Sequence, residues 1–185
     1  MSQRVAVMLR AVNVGGRRLV MADFRAALSE LGCTEPETVV ATGNAVVGAA
    51  GSEAALERGL TEKLGGAVDV FVRDGAELAA IVAGNPYPEM ARRDPSHLVV
   101  MFLKGEPAAG AVDALRGKIT GPEEVAAGPG CLYATFPDDL GHSKLTGTLI
   151  ERTLKLRGTM RNWNTVTKLA ALTRTEADAR RLPAG

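Results

Sequence analysis

The segment with the most chemistry in it is Arg161-Asn162-Trp163-Asn164-Thr165-Val166-Thr167-Lys168, which holds the chain's only tryptophan. A guanidinium, two carboxamides, two hydroxyls and an ammonium surround one indole, directly ahead of an apolar helical pattern. Such a set suits a ligand with an anionic group and a flat or polyhydroxylated part. Arginine and lysine would supply charge, asparagine orientation, and the indole a stacking surface. Lys168 is three residues beyond Thr165 and falls on the same side of a helix. The plain alternative is that Trp163 packs the last helix onto a sheet while Asn162 or Asn164 caps it. That accounts for one asparagine and the indole, but not for Arg161, the second asparagine, Thr165 and Lys168.

A second polar segment, Arg10-Ala11-Val12-Asn13-Val14-Gly15-Gly16-Arg17-Arg18, follows an apolar run. Gly15 and Gly16 allow positive φ, so successive backbone N–H groups can converge on an anion, with Arg10 or Arg17 adding charge. The segment is neither a Walker A loop nor G-x-G-x-x-G. A strand-to-helix loop with two solvated arginines stands beside the anion-nest reading. Thr42-Gly43-Asn44 is a third polar turn, between two short apolar runs.

Ser143-Lys144-Leu145-Thr146 invites comparison with a serine nucleophile and a lysine base. Adjacent helical residues point about 100° apart, so the two side chains would not face each other. Ser143 is better placed as a helix N-cap. Lys144, then in the first turn, sits against a positive helix end unless it meets an anion there. Asp138-Asp139, between Pro137 and Gly141, reads as a polar turn. His97 and His142 are the only imidazoles, and without clustered carboxylates no metal centre is expected. None of these segments spells a known reaction, and no cofactor follows from them.

These residues are set in 185 residues, enough for one compact domain or two small ones sharing a core. Hydrophobic residues make up 46% and charged ones 23%, close to the globular average, which excludes disorder by composition. Lys+Arg 22 against Asp+Glu 21 leaves a net charge of +1, against the basic excess of most nucleic-acid binders. Aromatics are only 4%, so the core must be built from Val, Leu, Ala and Met. Cys33 and Cys131 show no metal-ligand spacing. They read as two thiols in a reducing compartment, with one long-range disulfide as the alternative. The first apolar run is too short for a signal peptide and no run suits a membrane span, so a cytoplasmic location and no membrane partner are expected.

Hydrophobic periodicity then orders the elements. Residues 4–9 form a near-continuous apolar run, as in a buried central strand. Phe24, Ala27, Leu28 and Leu31 recur at helical spacing and Gly32 stops that helix. Residues 38–41 and 45–47 flank the Thr42-Gly43-Asn44 turn as a hairpin. Ser52 opens a helix with Leu56, Leu60 and Leu64 on one face, closed by Gly65, and residues 68–73 form the next strand. This order, βαββαβ, is the ferredoxin-like unit. The second half repeats it: a strand at 97–103, a helix around Val112 and Leu115, strands at 125–127 and 132–136, a helix from Ser143, and a short strand at 158–160. A last helix follows from about Asn164. The expected organisation is thus α+β, with two tandem ferredoxin-like subdomains and a C-terminal helix. Residues 1–84 make the first subdomain with its following helix, 85–96 a proline-containing link, and 97–185 the second subdomain and last helix.

The four motifs together resemble those of the bacterial family of unknown function numbered 1697. They are Leu9-Arg10 through Gly16, Thr42-Gly43-Asn44 with its following apolar run, Ser143-Lys144-Leu145-Thr146, and Arg161-Asn162-Trp163-Asn164-Thr165 with Lys168. The resemblance runs from Val5 to about Leu172 and implies tandem ferredoxin-like subdomains, but no activity. Ala11 departs from a usual glycine, Thr42 from serine, and His142 from another basic or polar residue. The functional expectation is a polar cleft between the subdomains, built from Arg10, Asn13, Gly15, Gly16, Thr42, Asn44, Ser143, Lys144, Arg161, Asn162, Trp163, Asn164 and Lys168. It would hold a small anionic or nucleotide-like molecule. A nucleic-acid module and an oligomerising protein are the alternatives. The first is disfavoured by the near-neutral charge and by strands that lack exposed aromatics.

Overall fold

The computed structural model describes residues 4–10, 13–14, 17–40 and 43–174. Its contacts divide into two units, Met1–Ala79 with Lys168–Gly185, and Ala80–Thr167.

The first unit begins with β1 (Val5–Arg10), followed by β2 (Asn13–Val14) and β3 (Arg17–Arg18). Next come α1 (Met21–Glu30), β4 (Glu37–Thr38), β5 (Asn44–Val47), α2 (Glu53–Leu64) and β6 (Asp69–Asp74). The main sheet is antiparallel with order β4-β5-β1-β6. Counting its strands one to four along the chain, that order is the 2-3-1-4 of a ferredoxin-like unit. Ala6 through Leu9 are buried on both faces of β1, which is why that run is continuously apolar rather than alternating. Val7, Leu9, Ala45, Val47 and Val70 pack with Phe24, Ala27 and Leu28 of α1 and Leu56 and Leu60 of α2.

Local signals set the ends of α2. Ser52 Oγ accepts the Ala55 N–H at 3.2 Å, and Gly65 closes the helix with φ 73°. Beyond β6, Asp74 and Glu77 exchange side-chain-to-backbone hydrogen bonds, each 2.8 Å. This capping box starts α3 (Gly75–Ala83).

The second unit carries α4 (Pro88–Arg93), β7 (Leu98–Leu103), α5 (Ala111–Arg116), β8 (Glu124–Gly128) and β9 (Cys131–Thr135). It continues with α6 (Gly147–Leu154), β10 (Gly158–Asn162) and the start of α7 (Trp163–Thr173). Its sheet order, β10-β7-β9-β8, is the same 4-1-3-2 arrangement. Val99, Met101, Leu132 and Ala134 meet Leu115 of α5 and Ile150 and Leu154 of α6. Tyr133 is buried elsewhere on this sheet, and its hydroxyl donates to the Ile81 carbonyl at 2.6 Å.

Several expectations change. The segment after β1 does not run as a loop into α1: β2 and β3 pair antiparallel, Asn13 opposite Arg18. The strand expected over 38–41 ends at Thr38, and Val40 has φ 56°, a conformation that a β-branched residue adopts only under strain. The helix expected from Ser143 begins at Gly147 and is capped by Thr146, whose Oγ1 accepts the Leu149 N–H at 3.2 Å. The linking segment holds α4. Cys33 and Cys131 are both buried, and neither is in a disulfide. Among the described residues, no helix is long and apolar enough to cross a membrane.

Candidate functional site

Strand register gathers two of the four motifs at one end of the first sheet. Arg10, the last residue of β1, lies opposite Asp69 of β6, and Arg10 Nη1 meets Asp69 Oδ2 at 2.8 Å. The arginine keeps 37% of its side chain exposed, the aspartate 18%. On the other side of β1, Met8 lies opposite Asn44, and the Leu9 N–H donates to the Gly43 carbonyl at 2.8 Å. Asn44 is wholly buried and its carbonyl accepts the Val39 N–H at 2.8 Å. Two residues separate Asn13 from the end of β1. Gly15, Gly16 and Thr42 lie outside the described residues.

The other two motifs share one end of the second sheet. Asn162 at the end of β10 lies opposite Val99, one residue into β7, while Leu98 lies opposite Thr135 and Thr135 opposite Glu124. Ser143 reaches this end by donating its hydroxyl to Glu123 Oε1, and its oxygen accepts the Leu145 N–H at 3.0 Å. Lys144 is exposed and precedes α6 rather than occupying its first turn.

Within the tryptophan segment the side chains divide. Asn162 Oδ1 accepts the Thr165 N–H at 3.0 Å, the bond of an N-cap to the third helical residue, so Asn162 caps α7. Trp163 is buried, 8% exposed, and its backbone N–H donates to the Pro95 carbonyl at 3.1 Å. Arg161 Nη1 turns back along its own strand to Thr159 Oγ1 at 2.8 Å and the Met160 carbonyl at 2.7 Å. Burial pulls its pKa down to about 10, which leaves it charged at neutral pH. Asn164 and Lys168 are exposed, whereas Thr165 is buried, so the surface expected to pair Thr165 with Lys168 does not form. The indole, Asn162 and Arg161 thus have packing, capping and strand-bracing tasks that leave Asn164 and Lys168 as the exposed chemistry of this segment.

Two histidine–aspartate pairs lie in the second unit. His97 Nδ1 is 2.6 Å from Asp94 Oδ2, while the Ser96 hydroxyl donates to Asp94 Oδ1 at 2.7 Å. These bonds, the serine's first, hold the Asp94 carboxyl below its ordinary range. His142 Nδ1 bonds Asp139 Oδ2. Among the described residues no three His, Cys, Asp or Glu side chains are placed to hold a metal ion.

Sequence reasoning missed a hollow of about 470 Å³ in the second unit, bordered by Tyr87, Arg116, Ile119, Glu123 and Glu124. Burial, then the nearby Glu124 charge, raise the Tyr87 pKa, and Arg116 opposes them. The adjacent Glu123-Glu124 pair was the signal available in the sequence.

The family described as "Protein of unknown function (DUF1697)" matches residues 1–133. The Ser143 and Arg161 motifs lie beyond that stretch. No curated protein matches. Among solved structures, a similar chain is the conserved bacterial protein SP0830 from Streptococcus pneumoniae, at 21% identity and a TM-score of 0.65. The likeness covers 92% of this chain and 98% of that one, and it is a likeness of fold.

Proposed function

The chain belongs to the DUF1697 family of proteins of unknown function, and from that premise we propose that it binds a small anionic or nucleotide-like ligand at the polar ends of its strands. The observation that carries the reading is Arg10, a part-exposed guanidinium fixed at 2.8 Å by Asp69 beside the Gly43–Asn44 turn. A cation already held by a neighbouring carboxylate gives up less freedom on meeting a ligand than a solvated one does. In the sequence, Asn13, Gly15, Gly16 and Thr42 belong to the same two motifs as Arg10 and the Gly43–Asn44 turn. Asn162 and Trp163 are given no ligand contact in this reading, because they start and seat α7.

The nucleic-acid alternative gains little support. Phe71 of β6 and Phe102 of β7 are fully buried and offer no base a stacking face.

Native mass spectrometry of the purified chain, with thermal shifts in ADP and in inorganic phosphate, tests the proposal. The expected outcome is an adduct or an upward shift that Arg10→Ala removes. Neither an adduct nor a shift with either probe would refute it.

A further inference from the structure

The hollow beside β8 is bordered by none of the residues assigned to the anionic ligand, and its chemistry has the opposite sign. Its volume of about 470 Å³ falls within the range of small-molecule sites. Two carboxylates, Glu123 and Glu124, border it against one guanidinium, that of Arg116. That guanidinium also meets a third carboxylate: Arg116 Nη1 is 2.6 Å from Asp113 Oδ1, and Arg116 Nε donates to the Val125 carbonyl at 3.1 Å. The local surplus is negative. Ile119 and Val125 supply apolar wall, and Tyr87 an aromatic ring.

One of the carboxylates is held in place. Ser143 donates its hydroxyl to Glu123 Oε1, while Glu123 Oε2 occupies the space that a Cβ on residue 121 would fill. Gly121 therefore seats the carboxylate by lacking a side chain. A glutamate serving only solubility needs neither a hydroxyl anchor nor a vacant Cβ position.

We propose that this hollow binds a small organic cation, an ammonium or guanidinium carried on an apolar stem. The charged head meets Glu123 and Glu124, and the stem lies along Ile119 and Val125 with Tyr87 adding a cation–π face. Ser143, a residue suggestive of nucleophilic chemistry in the sequence, acts here as a positioning residue for Glu123.

The test is an amide-resolved NMR titration of the whole chain with agmatine, which carries both head groups on a short stem, with succinate as the anionic control. Saturable shifts are expected at Tyr87, Glu124, Val125 and Ala126, weakening as salt rises. The double variant Glu123→Gln, Glu124→Gln should bind at least about tenfold more weakly. Gly121→Ala keeps every charge and displaces only the end of the Glu123 side chain, so it should weaken binding while the remaining amides stay in place. Absence of saturable shifts, undiminished affinity in either variant, or an equal response to succinate would each overturn the proposal. Because the probe is a cation and the variants lie outside the Arg10 end, failure here leaves the anionic-ligand reading to its own test.

Discussion

Glu53 Oε2 accepts the backbone N–H of Val72 at 2.7 Å, and one helical turn later Glu57 Oε2 accepts that of Val70 at 2.9 Å. Four residues of helix advance about 6 Å and two residues of strand about 6.6 Å, so the two periods coincide. α2 thereby satisfies alternate N–H groups along β6, an outer strand of the first sheet. The second unit has a counterpart: Glu151 Oε1 of α6 accepts the Gly158 N–H at 2.8 Å, at the start of the outer strand β10.

Removing the Glu53 and Glu57 carboxylates should uncover a pairing edge. Glu53→Ala with Glu57→Ala is expected to cost about 1–3 kcal/mol, because two part-buried N–H groups lose their acceptors. The variant should also self-associate with rising concentration in sedimentation velocity. An unchanged urea midpoint together with an unchanged sedimenting mass would show that the carboxylates are incidental.

The starts of α6 and α7 give an ordered set of stabilities. Thr146→Ala and Asn162→Ala each remove an N-cap bond and should each lower stability by about 1 kcal/mol. Ser143→Ala caps no helix and should cost less than either. Urea denaturation of the three variants decides it: a larger loss from Ser143→Ala than from Thr146→Ala would return the cap to Ser143. An unchanged midpoint in Asn162→Ala would return that residue to the ligand.

The exposed pair of His142 and Asp139 should be visible in a pH titration. The hydrogen bond to Asp139 raises the His142 pKa above its ordinary 6.5, and the same bond lowers Asp139 below 3.8. The histidine's share of the interaction is complete below 6.5 and is lost as pH rises through its raised pKa. The aspartate's share is complete above 3.8 and is lost as pH falls through its depressed one. Both are present between those values. Solvent screens the pair, so the readout is the imidazole itself. In Asp139→Asn the NMR midpoint of His142 should fall toward 6.5, and an unmoved midpoint would remove the pair from consideration.

Elements with local signals are legible in the sequence. Ser52 and Gly65 bracket α2 because capping is decided within a few residues, and the continuous apolar runs of β1 and β7 follow from burial on both faces. Thr146 and Ser143 are both chemically fit to cap α6. The choice between them turns on Glu123, twenty residues earlier, whose carboxylate takes the Ser143 hydroxyl. β2 and β3, two residues each, are too short to show a period. Around Trp163, the three-residue spacing of Asn162 and Thr165 carries the capping signature, and the crowd of polar groups beside it obscures that reading. The hollow at Glu123 and Glu124 depends on Tyr87, Arg116 and Ser143, brought together only by the tertiary fold.

The 4-1-3-2 order has a consequence for the growing chain. Arg10 and Asp69, adjacent in the sheet, are 59 residues apart. At synthesis rates of about 5–20 residues per second, roughly 3–12 seconds separate their emergence. During that interval the apolar run Val5–Leu9 has no β6 to lie beside it. Arg4 and Arg10 bracket Val5–Leu9 at this stage, each placing a full positive charge at one end of a stretch that would otherwise stack readily on its copies from neighbouring nascent chains. Arg10 is thus employed before the sheet exists, as a guard on the unfinished protein.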